Sequence, residues 1–508
     1  MKISYINIIT ILIILLFILV ACKSEIEKTI ENGDALYYEG KFEDALNEYN
    51  KVINIDKNYS IAYYKRANTK AFLRKIEDAL LDYDSAIQLD PKNPDFYNNK
   101  GLLQHSTGKF KEAIDNYNKA IEINDNDPVY YFNRCNSKDE LGNHNEAVTD
   151  CTKAIKIKPD YMMAYLIRGM ALYQLGNTDD AIGNFDKAIE LNPEYAISYN
   201  DRGMAYHFKQ EFGKAVQDFT MAIKYNPKYY LAYFNRGLAK HSLYDYDSAL
   251  VDYNKVIELN PDFEEVYNEK GILLNNISEF DKAIVTFNKA LEFSPLSPEI
   301  LLNLGMSKHK LGAFKEAIAD YNKAIELDPN NYLIYSNRGI SNNNLGNFQE
   351  AVEDYNKAIK LAPDFPDAYN NRGMAYHQLK KYDDALADYN KAIELEADYA
   401  DAYNNRATTK HNMGKYQEAI EDYDKTLELD PESAETYDNR GLSKHHMKLY
   451  KEAIEDYNKA IELNPYYSAA YYDRGMSKKM IGDETSSNDI EKSKEIDKEL
   501  FDNNDNSK

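Results

Sequence analysis

A 34-residue internal period is the feature of this sequence that most limits its possible folds. The octapeptide DYNKAIEL occurs at 320–327, 388–395 and 456–463, and the related DYNKAIKL occurs at 354–361, midway between the first two copies. With the first repeat set at 26–59, thirteen repeats run without insertion or deletion to residue 467. A fixed period of this length predicts a repeat protein in which each unit packs only on its neighbours.

The same kinds of residue recur at fixed positions, which we number 1 to 34 within each repeat. Position 20 is Ala in all thirteen repeats, position 8 is mostly Gly, and positions 4 and 24 are mostly aromatic. All 14 prolines fall at position 32 or position 1, and 19 of the 21 glycines fall at position 8 or position 15. Because Pro breaks helices and Gly ends them, the pattern predicts two helices of about 12–14 residues per repeat.

Two sets of positions in each repeat recur at the spacing that places residues on one face of a helix. Positions 4, 7, 8 and 11 form one stripe on the first helix, and positions 17, 20, 24 and 27 form one on the second. A helical hairpin of this kind cannot bury both faces by itself, so it must stack on the next hairpin. The sequence therefore predicts an all-α fold.

This pattern resembles the tetratricopeptide repeat (TPR), which has aromatic residues at positions 4 and 24, small residues at 8 and 20, Ala at 27 and Pro at 32. The segment AYNNRGMAYHQLKKYDDALADYNKAIEL at 368–395 follows it throughout. The resemblance implies a right-handed superhelical solenoid of stacked antiparallel helical hairpins, with a concave inner face that binds partners. We expect thirteen complete repeats at 26–467, a degenerate capping repeat at 468–498 and a disordered tail at 499–508.

One position departs from the family pattern. Position 7, commonly Leu in the family, is Arg or Lys here in nearly every repeat. Position 23 of the preceding repeat, 18 residues earlier, is usually acidic, as in Asp354 before Arg372. From the second repeat onward the one exceptional residue is Leu304, which follows Thr286, so both charges are absent together. These pairs predict a ladder of ion pairs between successive repeats, which aligns the stack more than it drives folding.

The first residues have the composition of an export signal. Lys2 precedes an apolar run that ends in Leu19-Val20-Ala21-Cys22, which resembles the lipobox of bacterial lipoprotein signal peptides. The resemblance implies that residues 1–21 are removed, that Cys22 carries the lipid, and that 22–25 form a short tether. An uncleaved membrane anchor is the alternative, because the run is only slightly shorter than a membrane span. Lys23 stands where an inner-membrane retention signal often has Asp, which favours the outer membrane.

Partner choice is expected at the positions that hairpin packing leaves free. On the first helix these are positions 2, 5, 9 and 12, a stripe that faces away from the packing stripe and that, by the resemblance, lines the concave groove. The stripe is largely apolar in repeats 4–8 and acidic or amide-rich in repeats 11–13. The apolar candidates are Met163, Leu166, Met170, Ile197, Met204, Leu231, Phe234 and Leu238, and the polar candidates are Asp367, Asn370, Asp401, Asn404, Glu435 and Asp438. The first set suits an adaptable apolar segment and the second a basic one, although position 9 also fits simple half-buried packing.

Cysteine and histidine suggest no metal chemistry. Cys135 and Cys151 occupy positions 8 and 24 of one repeat, so we expect direct contact, and both a disulfide and a reduced buried pair fit. Position 12 carries seven of the nine histidines. Equivalent positions in adjacent repeats should lie about 8–10 Å apart, which is too far for one ion to bind both. We therefore predict a solvated polar ladder of histidines.

Charge and motifs limit the function. The net charge of −23 argues against nucleic-acid binding by phosphate neutralisation. The sequence has no glycine-rich phosphate loop, nucleophile motif or paired metal motif, and the repeats leave no room for a catalytic domain. We predict a non-enzymatic scaffold without cofactors that binds other proteins at a bacterial membrane. Recognition of a glycan or small molecule in the groove, or a role as an assembly factor for envelope machinery, are the alternatives.

Overall fold

The computed structural model describes residues 23–505, with side chains as far as residue 498. All the regular secondary structure in this range is helical. The chain divides into an N-terminal unit that ends at Pro261 and a C-terminal unit that begins at Asp262. The predicted signal segment 1–21 and Cys22 lie outside the described residues. Within residues 23–505, no helix has both the length and the hydropathy of a membrane span.

The helices of each unit follow one another in antiparallel pairs. Those of the N-terminal unit are α1 (23–38), α2 (Phe42–Ile55), α3 (Ser60–Phe72), α4 (Ile76–Leu89), α5 (Pro94–Ser106), α6 (Phe110–Ile123), α7 (Pro128–Glu140), α8 (His144–Ile157), α9 (Met162–Gln174), α10 (Thr178–Leu191), α11 (Ala196–Phe208), α12 (Phe212–Tyr225), α13 (Tyr230–Ser242) and α14 (Tyr246–Leu259). Those of the C-terminal unit are α15 (Glu265–Asn276), α16 (Phe280–Phe293), α17 (Pro298–Lys310), α18 (Phe314–Leu327), α19 (Tyr332–Asn344), α20 (Phe348–Leu361), α21 (Pro366–Gln378), α22 (Tyr382–Leu395), α23 (Ala400–Asn412), α24 (Tyr416–Leu429), α25 (Ala434–His446), α26 (Tyr450–Leu463), α27 (Ser468–Met480) and α28 (Ser486–Asp505).

Helix bounds follow the proline and glycine positions of the repeat. A typical first helix such as α21 occupies positions 1–13, and its partner α22 occupies positions 17–30. The prolines at position 1 become the first helical residues of α5, α7, α17 and α21, where the missing N–H would have had no helical acceptor. The predicted all-α fold of stacked helical hairpins is therefore confirmed within each unit.

Small residues at positions 8 and 20 set the distance between the two helices of a hairpin. Tyr355, at position 24, is fully buried. A Cβ atom added to Gly339, at position 8, would lie 2.8 Å from the Cε1 atom of Tyr355. Ala351, at position 20, is also fully buried. The glycine thus makes room for the ring, and the ring fills the space that the glycine leaves.

The last hairpin of the C-terminal unit ends in a helix that is longer than expected. Ile496 of α28 is buried, and Asp489 accepts hydrogen bonds from Arg474 at 2.9 and 2.6 Å, so one face packs on α27. The backbone of residues 499–505 is helical, whereas the sequence predicted a disordered tail from residue 499. The segment has no Pro or Gly that would end the helix earlier. Residues 506–508 lie outside the described range.

The turn inside each hairpin has a left-handed residue at position 15. Eight repeats place Gly there, but Arg74, Gln210, Tyr244, Ser278, Lys380 and Lys448 adopt the same conformation with φ between 59° and 65°. The N–H of Lys380 donates to the carbonyl of His377 at 2.8 Å, and the next N–H donates to the carbonyl of Tyr376 at 2.9 Å. These are the two hydrogen bonds of a Schellman cap, and they hold position 15 in this conformation even without glycine.

We expect Lys380→Gly to stabilise the C-terminal unit. A left-handed non-glycine residue costs roughly 1–2 kcal/mol, and the greater unfolded-state entropy of glycine offsets about 0.5–1 kcal/mol of the gain. The free energy of unfolding from urea titration should therefore rise by about 0.5–1 kcal/mol. Gly346→Ala, at the same position one repeat earlier, is the matched control and should lower it. A lower urea midpoint for Lys380→Gly would contradict this account.

Candidate partner-binding face

The first helices of successive repeats touch one another directly. In the N-terminal unit α7 contacts α9 and α11 contacts α13, and in the C-terminal unit α21 contacts α23 and α25 contacts α27. Within each unit, therefore, positions 2, 5, 9 and 12 of neighbouring first helices lie side by side. We call this surface the groove face.

Most of the apolar candidates are accessible on the groove face of the N-terminal unit. Met170 and Ile197 are each 37% exposed. Partly exposed side chains surround them: Met163, Met204, Leu231, Phe234 and Leu238. Leu166, by contrast, is only 2% exposed and packs in a cluster with Phe185. The prediction that Leu166 is available to a partner is wrong, because position 5 lies where one first helix meets the next.

The polar candidates of the C-terminal unit divide in the same way. Asp401 and Glu435 are exposed, and Asp367 and Asn404 are partly exposed. Asn370 and Asp438, both at position 5, are buried. Position 5 is therefore a joint between repeats, whereas position 2 supplies the accessible carboxylates.

A ladder of side-chain amides accompanies the burial of position 5 in three repeats. The amide of Asn133 donates to the carbonyl oxygen of Asn98 at 2.8 Å, Asn235 donates to Asn200 at 2.9 Å, and Asn405 donates to Asn370 at 3.0 Å. Each bond joins position 6 of one repeat to position 5 of the repeat before it, 35 residues away. Asn pairs at this spacing are present in the sequence, but the spacing alone does not indicate that they are in contact.

The predicted ion pairs form, but with different partners. Arg372 donates from Nε and Nη2 to Asp388 at 2.8 and 2.6 Å, 16 residues later in its own repeat. Its Nη1 atom donates to Asn356, at position 25 of the preceding repeat. Asp354, the partner predicted from the 18-residue spacing, instead accepts from Arg338 at 3.0 Å. The pairing within the repeat recurs for Arg66 and Asp82, Arg134 and Asp150, Arg202 and Asp218, Arg236 and Asp252, Arg406 and Asp422, and Arg440 and Asp456.

The exception at Leu304 also has a different cause from the one predicted. Asp320, across the hairpin from Leu304, binds Lys308 at 2.5 Å, so its charge is still paired. Thr286 lies across its hairpin from Lys270, and burial lowers the pKa of that lysine. The missing basic residue at position 304 and the missing acidic residue at position 286 therefore belong to the ion pairs of two different repeats. The prediction of a single joint that lacks both charges is wrong.

The histidines at position 12 are built into the joints between repeats. His377 packs on the ring of Tyr382 at a centroid distance of 5.4 Å, and all seven contact the aromatic residue at position 17 in this way. His377 Nδ1 also lies 2.7 Å from Thr409 Oγ1, at position 10 of the next repeat. Burial lowers the pKa of His377. The predicted solvated ladder is therefore wrong, and residues 23–505 contain no group of three or more His, Cys, Asp or Glu that could hold a metal ion.

Cysteine replaces the usual glycine and tyrosine in one hairpin of the N-terminal unit. Cys135 of α7 and Cys151 of α8 are joined by a disulfide, with their Cα atoms 5.5 Å apart. Both residues are fully buried. Of the two arrangements that the sequence left open, the structure has the disulfide.

The repeated hairpins, with Gly at position 8 against a ring at position 24, define a TPR protein. Models described as "TPR repeat" and "Tetratricopeptide repeat" match the chain at 33–71, 75–108, 94–127, 129–161, 169–210, 196–229, 230–263, 298–331, 320–353, 343–380, 366–399, 400–433 and 434–467. These matches cover most of the sequence, and the chain belongs to the tetratricopeptide repeat family.

Several solved structures are similar to parts of this chain. MamA protein is 30% identical over 33% of this chain and 92% of its own, with a TM-score of 0.31. YrrB, titled a TPR protein with an unusual peptide-binding site, is 24% identical over 36% of this chain and 95% of its own, with a TM-score of 0.31. A tetratricopeptide repeat protein from Parabacteroides merdae ATCC 43184 is 20% identical over 49% of this chain and 98% of its own, with a TM-score of 0.42. No curated protein matches the chain.

A double-mutant cycle distinguishes the observed ion pair from the one predicted by spacing. Arg372→Leu with Asp388→Leu should show a coupling of roughly 1–3 kcal/mol in the free energy of unfolding, because the pair is bidentate and partly buried. Arg372→Leu with Asp354→Leu is the matched control and should be nearly additive. Urea titration of the three single and two double variants, with the wild-type chain, measures both coupling energies. Equal couplings in the two cycles would contradict the assignment.

Proposed function

We propose that this TPR protein is a lipid-anchored scaffold of the bacterial cell envelope that binds segments of partner proteins on its groove face. TPR repeats generally serve as interaction scaffolds, and no catalytic family is indicated. The observation that supports this most strongly is that the groove face has side chains that hairpin packing does not use. They are apolar in the N-terminal unit and acidic in the C-terminal unit.

The apolar part of the groove face suits a partner segment with apolar side chains. Met170 and Ile197 are each more than a third exposed, and Met204, Leu231 and Leu238 extend the surface over neighbouring repeats. Methionine has three rotatable bonds and a polarisable sulfur, so it can adapt to partner side chains of different shape. Covering such a surface removes apolar area from water and gives affinity that depends little on salt.

The acidic part of the groove face suits a basic segment. Asp401 and Glu435 occupy position 2 of adjacent repeats and are exposed, and Asp367 occupies position 2 of the repeat before them. Exposed carboxylates act mainly by attracting opposite charge over about one Debye length, ~10 Å at 0.1 M salt. This part of the surface should therefore accelerate and orient binding more than it adds contact area.

The cellular location rests on the N-terminal sequence together with the disulfide. The lipobox-like Leu19-Val20-Ala21-Cys22 supports lipidation at Cys22, and Lys23 supports the outer membrane over the inner. Disulfides persist in oxidising compartments outside the cytoplasm, so the bridge between Cys135 and Cys151 fits an exported protein.

One cavity favours glycan or small-molecule recognition as a second candidate function. It lies in the N-terminal unit, has a volume of about 450 Å³, and is lined by Tyr37, Tyr38, Phe72, Lys65 and Asn99, among others. Aromatic faces beside amide and charged groups can bind a sugar ring. Tyr38→Ala with Phe72→Ala should abolish glycan binding in this case and leave protein binding unchanged. An assembly factor for envelope machinery would be a special case of the protein scaffold.

Variants in the two parts of the groove face should weaken binding of a partner protein with different dependence on salt. The partner is one captured from detergent-solubilised envelopes. Replacing Met170, Ile197 and Leu238 by Ser should weaken binding at every salt concentration, because apolar contact is lost. Asp401→Asn with Glu435→Gln should weaken it mainly at low salt. The dissociation constant, measured by surface plasmon resonance from 20 to 500 mM salt (on the order of the range over which screening changes), separates the two effects.

Matched controls change exposed residues of the second helices. Leu81→Ser with Val251→Ser removes apolar side chains that are 64% and 67% exposed, and Glu418→Gln with Glu452→Gln removes two exposed carboxylates. Both control sets should leave affinity unchanged. If the controls weaken binding as much as the groove-face sets do, the partner binds another surface.

Lipid anchoring is tested at Cys22. Cys22→Ser should abolish metabolic labelling with a fatty acid and release the protein from washed membranes. The double variant Cys135→Ala with Cys151→Ala should keep the label, since those two cysteines are bonded to each other and buried inside the fold. Continued labelling of Cys22→Ser would show that the lipobox interpretation is wrong.

A further inference from the structure

Of the steps in the C-terminal unit that lack the Asn–Asn pair, one irregular step has carboxyl groups at both positions. Asp438 occupies position 5 of its repeat and Asp473 occupies position 6 of the next, 35 residues later. This is the register in which Asn405 donates to Asn370 at 3.0 Å. At the irregular step both amides are replaced by carboxyl groups, so two acceptors face each other and neither brings a donor when ionised.

Asp438 is left without the hydrogen bond that this register normally supplies. Its side chain is buried, with the residue 5% exposed, and its Oδ1 atom has no hydrogen-bond partner among the described residues. Burial, and then the nearby charges of Asp473 and Glu435, raise the pKa of Asp438 to about 7. Near neutral pH the carboxyl is therefore poised between its protonated and ionised forms.

The groups around the buried carboxyl of Asp438 make the site negative, and some of them are accessible to solvent. Glu435 is exposed and Asp473 is partly exposed, and the hydroxyl of Tyr467 interacts with Asp438. Burial raises the pKa of Asp473, and the exposed His446 offsets part of that rise. The basic residues on the same helix, Arg440 and Lys444, face the other way and bind Asp456 at 2.6 and 2.7 Å.

We propose that the step between Asp438 and Asp473 binds one organic cation, the ammonium of a lysine or the guanidinium of an arginine in a partner segment. Both groups carry only hydrogen-bond donors, which is what the irregular step lacks, and their positive charge offsets that of the facing carboxylates. This inference rests on the proposed function and gives the acidic part of the groove face a specific subsite.

Cation binding should be coupled to release of a proton. A cation favours the ionised form of Asp438, so near pH 7 the carboxyl loses its proton when the cation binds. Affinity should fall as the pH is lowered through the pKa of Asp438, because the proton then competes with the cation. Glu435, Asp473, Tyr467, Tyr457, Tyr423 and His446 are the other titratable groups near the site.

A second unpartnered carboxyl, in the N-terminal unit, provides a contrast. Asp201 is buried, and its Oδ2 atom has no partner among the described residues. It lies at position 6, and the residue 35 earlier is Leu166. Because Asp201 faces an apolar side chain rather than a second carboxylate, we assign no cation site there.

The test uses the mature chain and three short capped peptides, acetyl-Gly-Lys-Gly-amide, its arginine analogue and its Nε-acetyl-lysine analogue. Isothermal titration calorimetry at pH 7, in two buffers of different ionisation enthalpy, should show saturable binding of the lysine or arginine peptide with proton release. The acetylated peptide should not bind. Preference for one cationic peptide identifies the source of the charge.

Three variants make the result specific to this step. Asp473→Asn places an amide donor opposite Asp438, so it should reduce affinity at least ~10-fold, the effect of losing a charge-assisted contact, and should raise the urea midpoint. Asp364→Asn, an equal change of charge at an exposed loop residue, and Asp201→Asn should leave affinity unchanged.

Two outcomes would overturn the proposal. In the first, the cationic peptides show no saturable binding to the wild-type chain, although Asp473→Asn raises the urea midpoint. This result would show that the two carboxyl groups only share a proton and do not bind a cation. The other is equal affinity in Asp473→Asn and Asp364→Asn, which would show only general attraction to an acidic surface. Neither result bears on the captured partner, whose binding through the apolar part is measured separately.

Discussion

The structure depends on the contact between the aromatic ring at position 24 and the glycine at position 8. In the repeat that contains Gly339 and Tyr355 there is no space for a Cβ atom between them, so the two helices approach as closely as a ring allows. This distance also brings position 7 opposite position 23, where Arg338 binds Asp354. This salt bridge fixes the orientation of the two helices relative to each other, whereas the stability of the hairpin comes mainly from burial of the ring.

Joints between repeats use polar side chains in defined registers. Position 6 donates to position 5 of the preceding repeat, and histidine at position 12 meets a hydroxyl at position 10 of the following one, as His377 meets Thr409. Arg372 reaches back to Asn356. Such bonds are directional, whereas apolar contact is not, so they fix how far one hairpin is shifted along the next. The contact between Asp438 and Asp473, which lacks this amide hydrogen bond, can therefore be compared directly with the contacts that form it.

Two kinds of surface follow from this division of roles. Positions 4, 8, 20 and 24 are used up by packing and are almost the same in every repeat. Positions 2 and 9 of the first helices vary between repeats, and their side chains change from Met170 and Ile197 in the N-terminal unit to Asp401 and Glu435 in the C-terminal unit. Variation at positions that the scaffold does not need is expected where a partner selects the side chain.

The sequence by itself determined the period, the helix bounds and the hairpin, because Pro, Gly and the apolar stripes act within about 34 residues and leave one consistent arrangement. It did not determine the partner of Arg372, the burial of Leu166 and Asn370, or the contacts of His377. Those depend on the shift and crossing angle of one helix against another, and spacing along the chain does not specify either. Asp354 and Asp388 lie at nearly equal distances in sequence from Arg372, and only the packed helices decided between them.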